Sequence, residues 1–348
     1  MSLSFIPHSR PLLGVEEAAE AQRVVLSGML AQGPEVAALE SELAIATRLT
    51  RVAALAHGTG ALHLGLLALG ARPGKEIILP SYSCVSLLNA VAYTGATPVL
   101  VDCCQDVPDI DVGSALASQT DATCAVVVPH LFGRAVALKP LKGVIPILED
   151  GTHGIGNAAV GQIGVACAYS FYATKMLAGG EGGALATRSR KIEAFARAHR
   201  SYDFCPHWVP RYNYKMTDLA AALLRVQLGR LPAFLARRHQ LAVFYRRSLE
   251  GIPGLILPVP QKGEIHYRFV VRIPGKPLDE VVAALREFHV GANRPVFQPL
   301  HQALRVSAKR YPNSQMWWRE ALSIPLYPAL TDDDASRVVA ALRRVLAR

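Results

Sequence analysis

The sequence predicts an α/β protein: a large domain on a mainly parallel central sheet covered on both faces, followed by a smaller α+β domain. Three observations predict it. Between about residues 52 and 190, short β-rich apolar runs alternate with helical patterns, as parallel strands joined by crossover helices do. The chain has 348 residues, 51% hydrophobic and 18% charged, enough for a large core and two domains. A Pro/Gly-rich stretch over 251–260 follows a long helical pattern and marks a boundary. The expected division is 1–235 for the large domain with its N-terminal helices, and 236–348 for the small one.

Each element follows from local pattern. Residues 15–48 read as two amphipathic helices separated by Gly33-Pro34. Val52–Ala56 is a strand that turns through Gly58-Thr59-Gly60 into a helix over 61–69. Glu76–Pro80 is a strand, a helix follows around 84–94, and Thr97–Asp102 is the next strand. Further strands are expected at 125–128, 144–149, 165–171 and 183–187. Buried on both faces, such strands lose strict alternation and become continuous apolar runs. The pattern over 217–250 is a long helix that Pro232 should bend or divide, because proline removes a backbone donor. A strand at 266–271 and helices at 277–289 and 331–347 complete the small domain.

Composition excludes several classes. The formal charge of +10 comes from scattered basic residues, not from a basic stripe interleaved with aromatics, so no nucleic-acid partner is expected. A basic rim that attracts an anionic small molecule fits the same charge, as does a basic surface with no specific partner. No stretch of 18 uncharged apolar residues occurs, and the N-terminus lacks a basic and apolar secretory leader. No membrane span is therefore predicted, and the cytoplasm is the expected location. The six cysteines, Cys84, Cys103, Cys104, Cys124, Cys167 and Cys205, have no Cys-x-x-Cys spacing; most are expected to be buried reduced thiols, with no metal site.

Chemistry enters with Lys175, in a glycine-rich stretch that runs from Ser170 to Gly183. It follows, after 25 residues, the acid that ends the run Val144-Ile145-Pro146-Ile147-Leu148-Glu149-Asp150. A lysine amine that can form a Schiff base and a carboxylate that can keep a pyridine nitrogen protonated are what pyridoxal 5′-phosphate (PLP) requires. Gly58-Thr59-Gly60 would expose backbone N–H groups at a helix N-terminus, a phosphate site. Each signal has a plain alternative. Glycine at a strand-to-helix turn can be steric, an aspartate after a strand can be an N-cap, and a lysine can be a solvated surface residue. Together and in this order they point to one cofactor site.

These segments carry a resemblance that spans nearly the whole chain. His57-Gly58-Thr59-Gly60-Ala61-Leu62-His63-Leu64, Glu76 to Ser83, Gly95 to Asp102, Pro129-His130-Leu131-Phe132-Gly133, Glu149-Asp150, Ser170-Phe171-Tyr172 with Lys175, Glu181-Gly182-Gly183-Ala184, Tyr212 to Ala221 and Leu322 to Leu326 resemble, in order, the blocks of the DegT/DnrJ/EryC1/StrS sugar aminotransferases, PLP enzymes of fold type I. The resemblance implies that Lys175 carries the cofactor and moves the proton, that Asp150 pairs with the ring nitrogen, and that His153 contacts the ring 3-oxygen. It also implies that Gly58, Thr59, Gly60 and Ser170 hold the phosphate. Asn213 would reach it from the neighbouring subunit of a homodimer. The implied reaction takes an amino group, with glutamate as donor, through pyridoxamine 5′-phosphate to a keto sugar, commonly nucleotide-linked.

Three positions depart from the pattern. Cys84 stands where relatives offer an aromatic ring to the cofactor, His57 replaces a serine, and Lys215 replaces a common arginine. Arginine and lysine differ wherever a planar two-pronged contact matters. Some members of the family act on non-nucleotide ketones, which nothing in the sequence excludes. A dehydratase branch carries histidine at the lysine position, and Lys175 speaks against it. A non-catalytic PLP-binding regulator is a third class, which Lys175 and Asp150 oppose. The segment Phe297-Gln298-Pro299-Leu300-His301 either contacts substrate or only packs.

Overall fold

The computed structural model describes residues 4–203 and 207–347. Eleven helices and nine strands are found there, besides three short 3-10 turns. The helices are α1 Val15–Ser27, α2 Pro34–Thr47, α3 Gly58–Ala68, α4 Ser86–Thr94, α5 Val112–Ala117, α6 Arg190–His199, α7 Asp218–Leu249, α8 Leu278–Glu287, α9 Leu300–Ala303, α10 Pro312–Glu320 and α11 Asp332–Ala347. The strands are β1 Arg51–Leu55, β2 Glu76–Pro80, β3 Thr97–Val101, β4 Thr123–Pro129, β5 Ile147–Asp150, β6 Ala166–Ser170, β7 Gly183–Thr187, β8 Phe269–Arg272 and β9 Ala321–Ile324.

Strands β1 to β7 form one sheet in the order β1-β7-β6-β5-β4-β2-β3. β7 runs antiparallel to both neighbours, and every other pair is parallel. The expected mainly parallel sheet is therefore present, with one reversed strand. Alternate residues feed two cores, as strand geometry demands of a sheet covered on both faces. Ala53, Leu55, Ala166 and Ala168 pack with α3, α4 and α6. Val52, Ala54, Cys167 and Tyr169 pack with α2 and the first half of α7. A separate core joins Ile6 and the second half of α7 to β8, α8, β9 and α11.

Helix α2 starts at Pro34, a residue suited to a first turn. Its cap comes from far away: Asp218, at the start of α7, accepts the Gly33 and Val36 N–H groups at 2.8 and 3.0 Å. Pro232 does not divide α7, which continues through it as one element of 32 residues. The ring points to solvent, and packing against α1, α2 and α11 holds the helix across the missing hydrogen bond. By length and mean hydropathy (1.4) α7 could cross a membrane. Its inward residues, such as Leu224 and Tyr245, instead fill two cores of the molecule.

The register of three strands sets where the chemistry sits. Leu55, Gly183 and Ser170 lie side by side across β1, β7 and β6, so helix α3 leaves β1 directly over Gly183. A Cβ on Gly183 would meet the His57 carbonyl carbon at 2.4 Å and the Gly58 nitrogen at 2.6 Å. Gly183→Ala should cost about 2 kcal/mol or more, since rigid backbone cannot yield as a side chain would. Thermal unfolding checks this, with Gly229→Ala as the control. Gly229 lies inside α7 with nothing within 4 Å of a Cβ, so its replacement should stabilise by roughly 0.5–1 kcal/mol.

Candidate active site

The parallel strands β4, β5 and β6 end at one edge of the sheet, where α/β proteins bind ligands. Pro129, Asp150 and Ala168 are in register there. Asp150 is 5% exposed. Its Oδ1 accepts the Thr152 N–H at 3.0 Å, and its other oxygen has no hydrogen-bond partner among the described residues.

Glu149 faces the opposite way, as the strand's period of two requires. It is fully buried and accepts hydrogen bonds from His130 Nε2 at 2.7 Å and from the Gly161, Ile163 and Gly164 N–H groups. Burial raises its pKa, but His130 and the loop amides outweigh that and hold it below the ordinary glutamate value. Of the adjacent acids, Glu149 is structural and Asp150 faces the site edge.

Lys175 sits in a loop folded back on itself. Ala173 N–H bonds Gly180 O at 3.0 Å and Gly179 N–H bonds Phe171 O at 2.9 Å, with Gly180 at φ 79°, a backbone region glycine enters freely. The Lys175 Nζ lies 3.1 Å from His153 Nε2. His153 Nδ1 accepts the Phe132 N–H at 3.3 Å, so a backbone amide and the lysine amine flank the two ring nitrogens. Burial, and then Lys175 and Arg268, push the His153 pKa well below its ordinary value, which keeps this imidazole neutral.

An aromatic stack fixes that imidazole. Tyr267 lies over it at 4.2 Å between centroids and 20° between planes, and Phe132 lies at 6.3 Å and 19°. Phe132 adopts φ 62°, strained for a bulky residue and characteristic of sites that need a fixed geometry. The strain places its N–H on His153 and its carbonyl on the Tyr267 N–H at 3.0 Å. The Tyr267 hydroxyl donates to Thr174 O at 3.1 Å, so the ring over His153 also ties down the lysine loop. Sequence reading missed Tyr267, because 92 residues separate it from Lys175 and no motif marks it.

Helix α3 opens beside Ser170. A Cβ on Gly58 would come within 2.6 Å of the Ser170 Cβ, so glycine there lets the helix start approach the serine. Among the described residues the Gly58 and Thr59 N–H groups have no protein partner, and both face the positive end of the helix. The Gly60 N–H is different: it donates to His57 Nδ1 at 2.9 Å. The histidine that stands in place of serine thus caps the amide that the resemblance places in the phosphate cradle. That cap also starts α3 at Gly58, three residues before the predicted helix.

The other predicted residues are dispersed. Asn213 is exposed and makes no hydrogen bond within the described chain, although Tyr212 and Tyr214 on either side are tied to His199 and Arg200. Cys84 is exposed at the approach to α4, whereas Cys103 and Cys167 are buried and Cys104 and Cys124 are half-buried. The expectation that most thiols are buried therefore holds for two of the five described; Cys205 lies outside the described residues. The 297–301 segment divides: Phe297 is 90% exposed and, with Gln298, lines a cavity, while His301 is buried against Ser81 Oγ at 2.7 Å. No group of His, Cys, Asp and Glu suited to a metal occurs among the described residues.

A lysine with a neutral hydrogen-bond partner, a strand-end acid and unpaired helix amides define a site whose donors and acceptors fit PLP. Comparisons with known proteins agree. The profile of the DegT/DnrJ/EryC1/StrS aminotransferase family matches residues 11–343. The chain is 33% identical to the spore coat polysaccharide biosynthesis protein SpsC of Bacillus subtilis (strain 168), over 98% of this chain and 97% of that protein. It is similar to S. venezuelae DesV, solved with a ketimine intermediate, at 30% identity and TM-score 0.90, covering 96% of this chain and 95% of that one. Spr1654 from Streptococcus pneumoniae in its PLP form shares the fold, with TM-score 0.92 at 23% identity and 99% of each chain covered. The chain belongs to the DegT/DnrJ/EryC1/StrS aminotransferase family and is a PLP-dependent aminotransferase.

Proposed function

We propose that this enzyme moves an amino group from glutamate to a keto sugar carried on a nucleotide. The observation that carries this reading is the Lys175 amine, 3.1 Å from a neutral imidazole, at the same sheet edge as Asp150 and the open start of α3. PLP bound there supplies an electrophilic aldehyde and a ring that accepts electrons. Lys175 would be the residue that attaches to it and that moves a proton on and off the reacting carbon. Asp150 would hold a proton at the ring nitrogen through its free oxygen, and His153 would contact the ring oxygen through Nε2. Gly58 and Thr59 bind the phosphate through their N–H groups, and Ser170 through its hydroxyl.

Asn213 is assigned to the site of a second copy in a homodimer, supported by its exposed, unbonded amide. The large domain is taken as 1–235 and the small one as 236–348, a division supported by the change of core inside α7 between Leu231 and Leu241. The sugar acceptor is supported by the polysaccharide role in the name of SpsC. A cytoplasmic location, with no membrane and no nucleic acid as partner, completes the reading. Mass spectrometry of products from a panel of nucleotide keto sugars, incubated with protein loaded with pyridoxamine phosphate, tests it. At least one ketone should become an amine. If none does while glutamate still loads the amino group, the acceptor is not a nucleotide sugar.

A further inference from the structure

Beside the lysine pocket lies a cavity of about 780 Å³ whose lining includes His8, Arg268, Arg294, Gln298 and Trp318. Its two arginines differ. Arg294 is engaged: it donates to the Asp279 carboxylate, bonds the Trp318 carbonyl at 3.2 Å and lies over the Trp318 ring. Arg268 is half-buried and has no carboxylate within ion-pair distance among the described residues. Among the described residues its side-chain hydrogen-bond partner is His8, at 3.0 Å from Nε2 and 3.3 Å from Nδ1. His8 in turn lies 2.9 Å from Ser323 Oγ. Burial, and then the neighbouring Arg268, lower the His8 pKa to about 3, so this partner carries no charge near neutral pH. A third arginine, Arg238, is 4% exposed and spends its hydrogen bonds on the Tyr267 and Leu326 carbonyls. One half-buried guanidinium, lying over the Tyr267 ring at 5.2 Å, therefore faces a cavity with no carboxylate to balance its charge among the described residues, a state that favours an oxyanion.

We propose that Arg268 is the oxyanion-binding residue of the substrate cavity, holding a carboxylate or phosphate group of the ligand in a two-pronged contact. The residue before it, Tyr267, stacks on His153, so an anion on Arg268 lies against the small-domain side of the lysine site. The N-terminal segment helps build this site: Ile6 pairs with Val290, which carries His8 onto the guanidinium. Arg268 thereby joins residues 260 apart in sequence. The proposal rests on the aminotransferase reading, in which both donor and acceptor are anionic.

The test is calorimetric titration of the PLP-loaded protein with two unreactive probes, glutarate for a carboxylate source and inorganic pyrophosphate for a phosphate source. Arg268→Gln should weaken at least one probe about tenfold or more, the usual scale of a charge-assisted pair. Arg268→Lys should fall between, since it keeps the charge and loses the fork; it also serves as the second variant if the first does not fold. Arg294→Gln removes an equal charge from the same cavity and should change binding by less than about threefold. Loss confined to glutarate identifies the donor's carboxylate, and loss confined to pyrophosphate identifies the acceptor's phosphates. Unchanged binding in Arg268→Gln, equal losses in both glutamine variants, or no binding of either probe to the wild type overturns the proposal. The violet absorbance of the lysine-bound cofactor, recorded in each variant, reports separately whether the aminotransferase reading itself stands.

Discussion

Lys175→Ala abolishes both the violet absorbance of the bound cofactor and amino transfer, with turnover down at least about 10⁴-fold. The size follows from two losses at one atom: the nucleophile that attaches the cofactor, and the group that carries the proton. His153 does not replace it. Its Nδ1 is already engaged by the Phe132 N–H, and burial together with Arg268, which both remain in the variant, still lowers its pKa, which makes it a poor base. Folding should be nearly unaffected, because among the described residues the Lys175 side chain has one hydrogen bond, to His153, and a contact over the Tyr267 ring at 5.7 Å, while its loop is closed by backbone bonds. Spectroscopy of the reconstituted variant and a single-turnover assay check both halves. Retained turnover would remove Lys175 from the chemistry.

Asp150→Asn should lower kcat by roughly 10²–10³-fold while leaving stability within about 1 kcal/mol. Asparagine preserves the acceptor for the Thr152 N–H, so the cap of the following loop survives and only the charge is lost. Without that charge nothing at this edge holds a proton on the ring nitrogen, because Glu149 points to the other face and is saturated by His130 and three amides. Glu149→Gln should behave in the reverse manner, destabilising the fold through a broken buried network with a smaller effect on the chemical step. The measurement is kcat beside the thermal midpoint for each variant. A loss of stability in Asp150→Asn equal to that of Glu149→Gln would mean the two acids have been assigned the wrong roles.

The fold was legible because its strands are short apolar runs separated by helices, and burial on two faces leaves that trace in any sequence. The exact helix starts were not. His57 caps α3 with a ring nitrogen, a contact that depends on its side chain reaching forward to the amide three residues on. The Asp218 cap on α2 spans more than 180 positions. Pro232 argued for a break that tertiary packing overrode. In the site, Lys175, Asp150, Ser170, Gly58 and Thr59 lie on segments with recognisable spacing, and the structure brings them to one edge of the sheet. Tyr267, His8 and Arg268 left no trace, since their meaning exists only after β8 and the N-terminal segment meet the lysine loop. Cys84 is the reverse case. The sequence singled it out, and the structure finds it exposed and without a contact that assigns it a role.

The most direct test of the central claim is where the cofactor attaches. Borohydride reduction of the PLP-loaded protein fixes it to its lysine, and peptide mass spectrometry then reads the site. The account predicts the adduct on the peptide that carries Lys175 and on no other lysine. An adduct on Lys215 or elsewhere, or a protein that binds PLP with no reducible bond at Lys175, would contradict it.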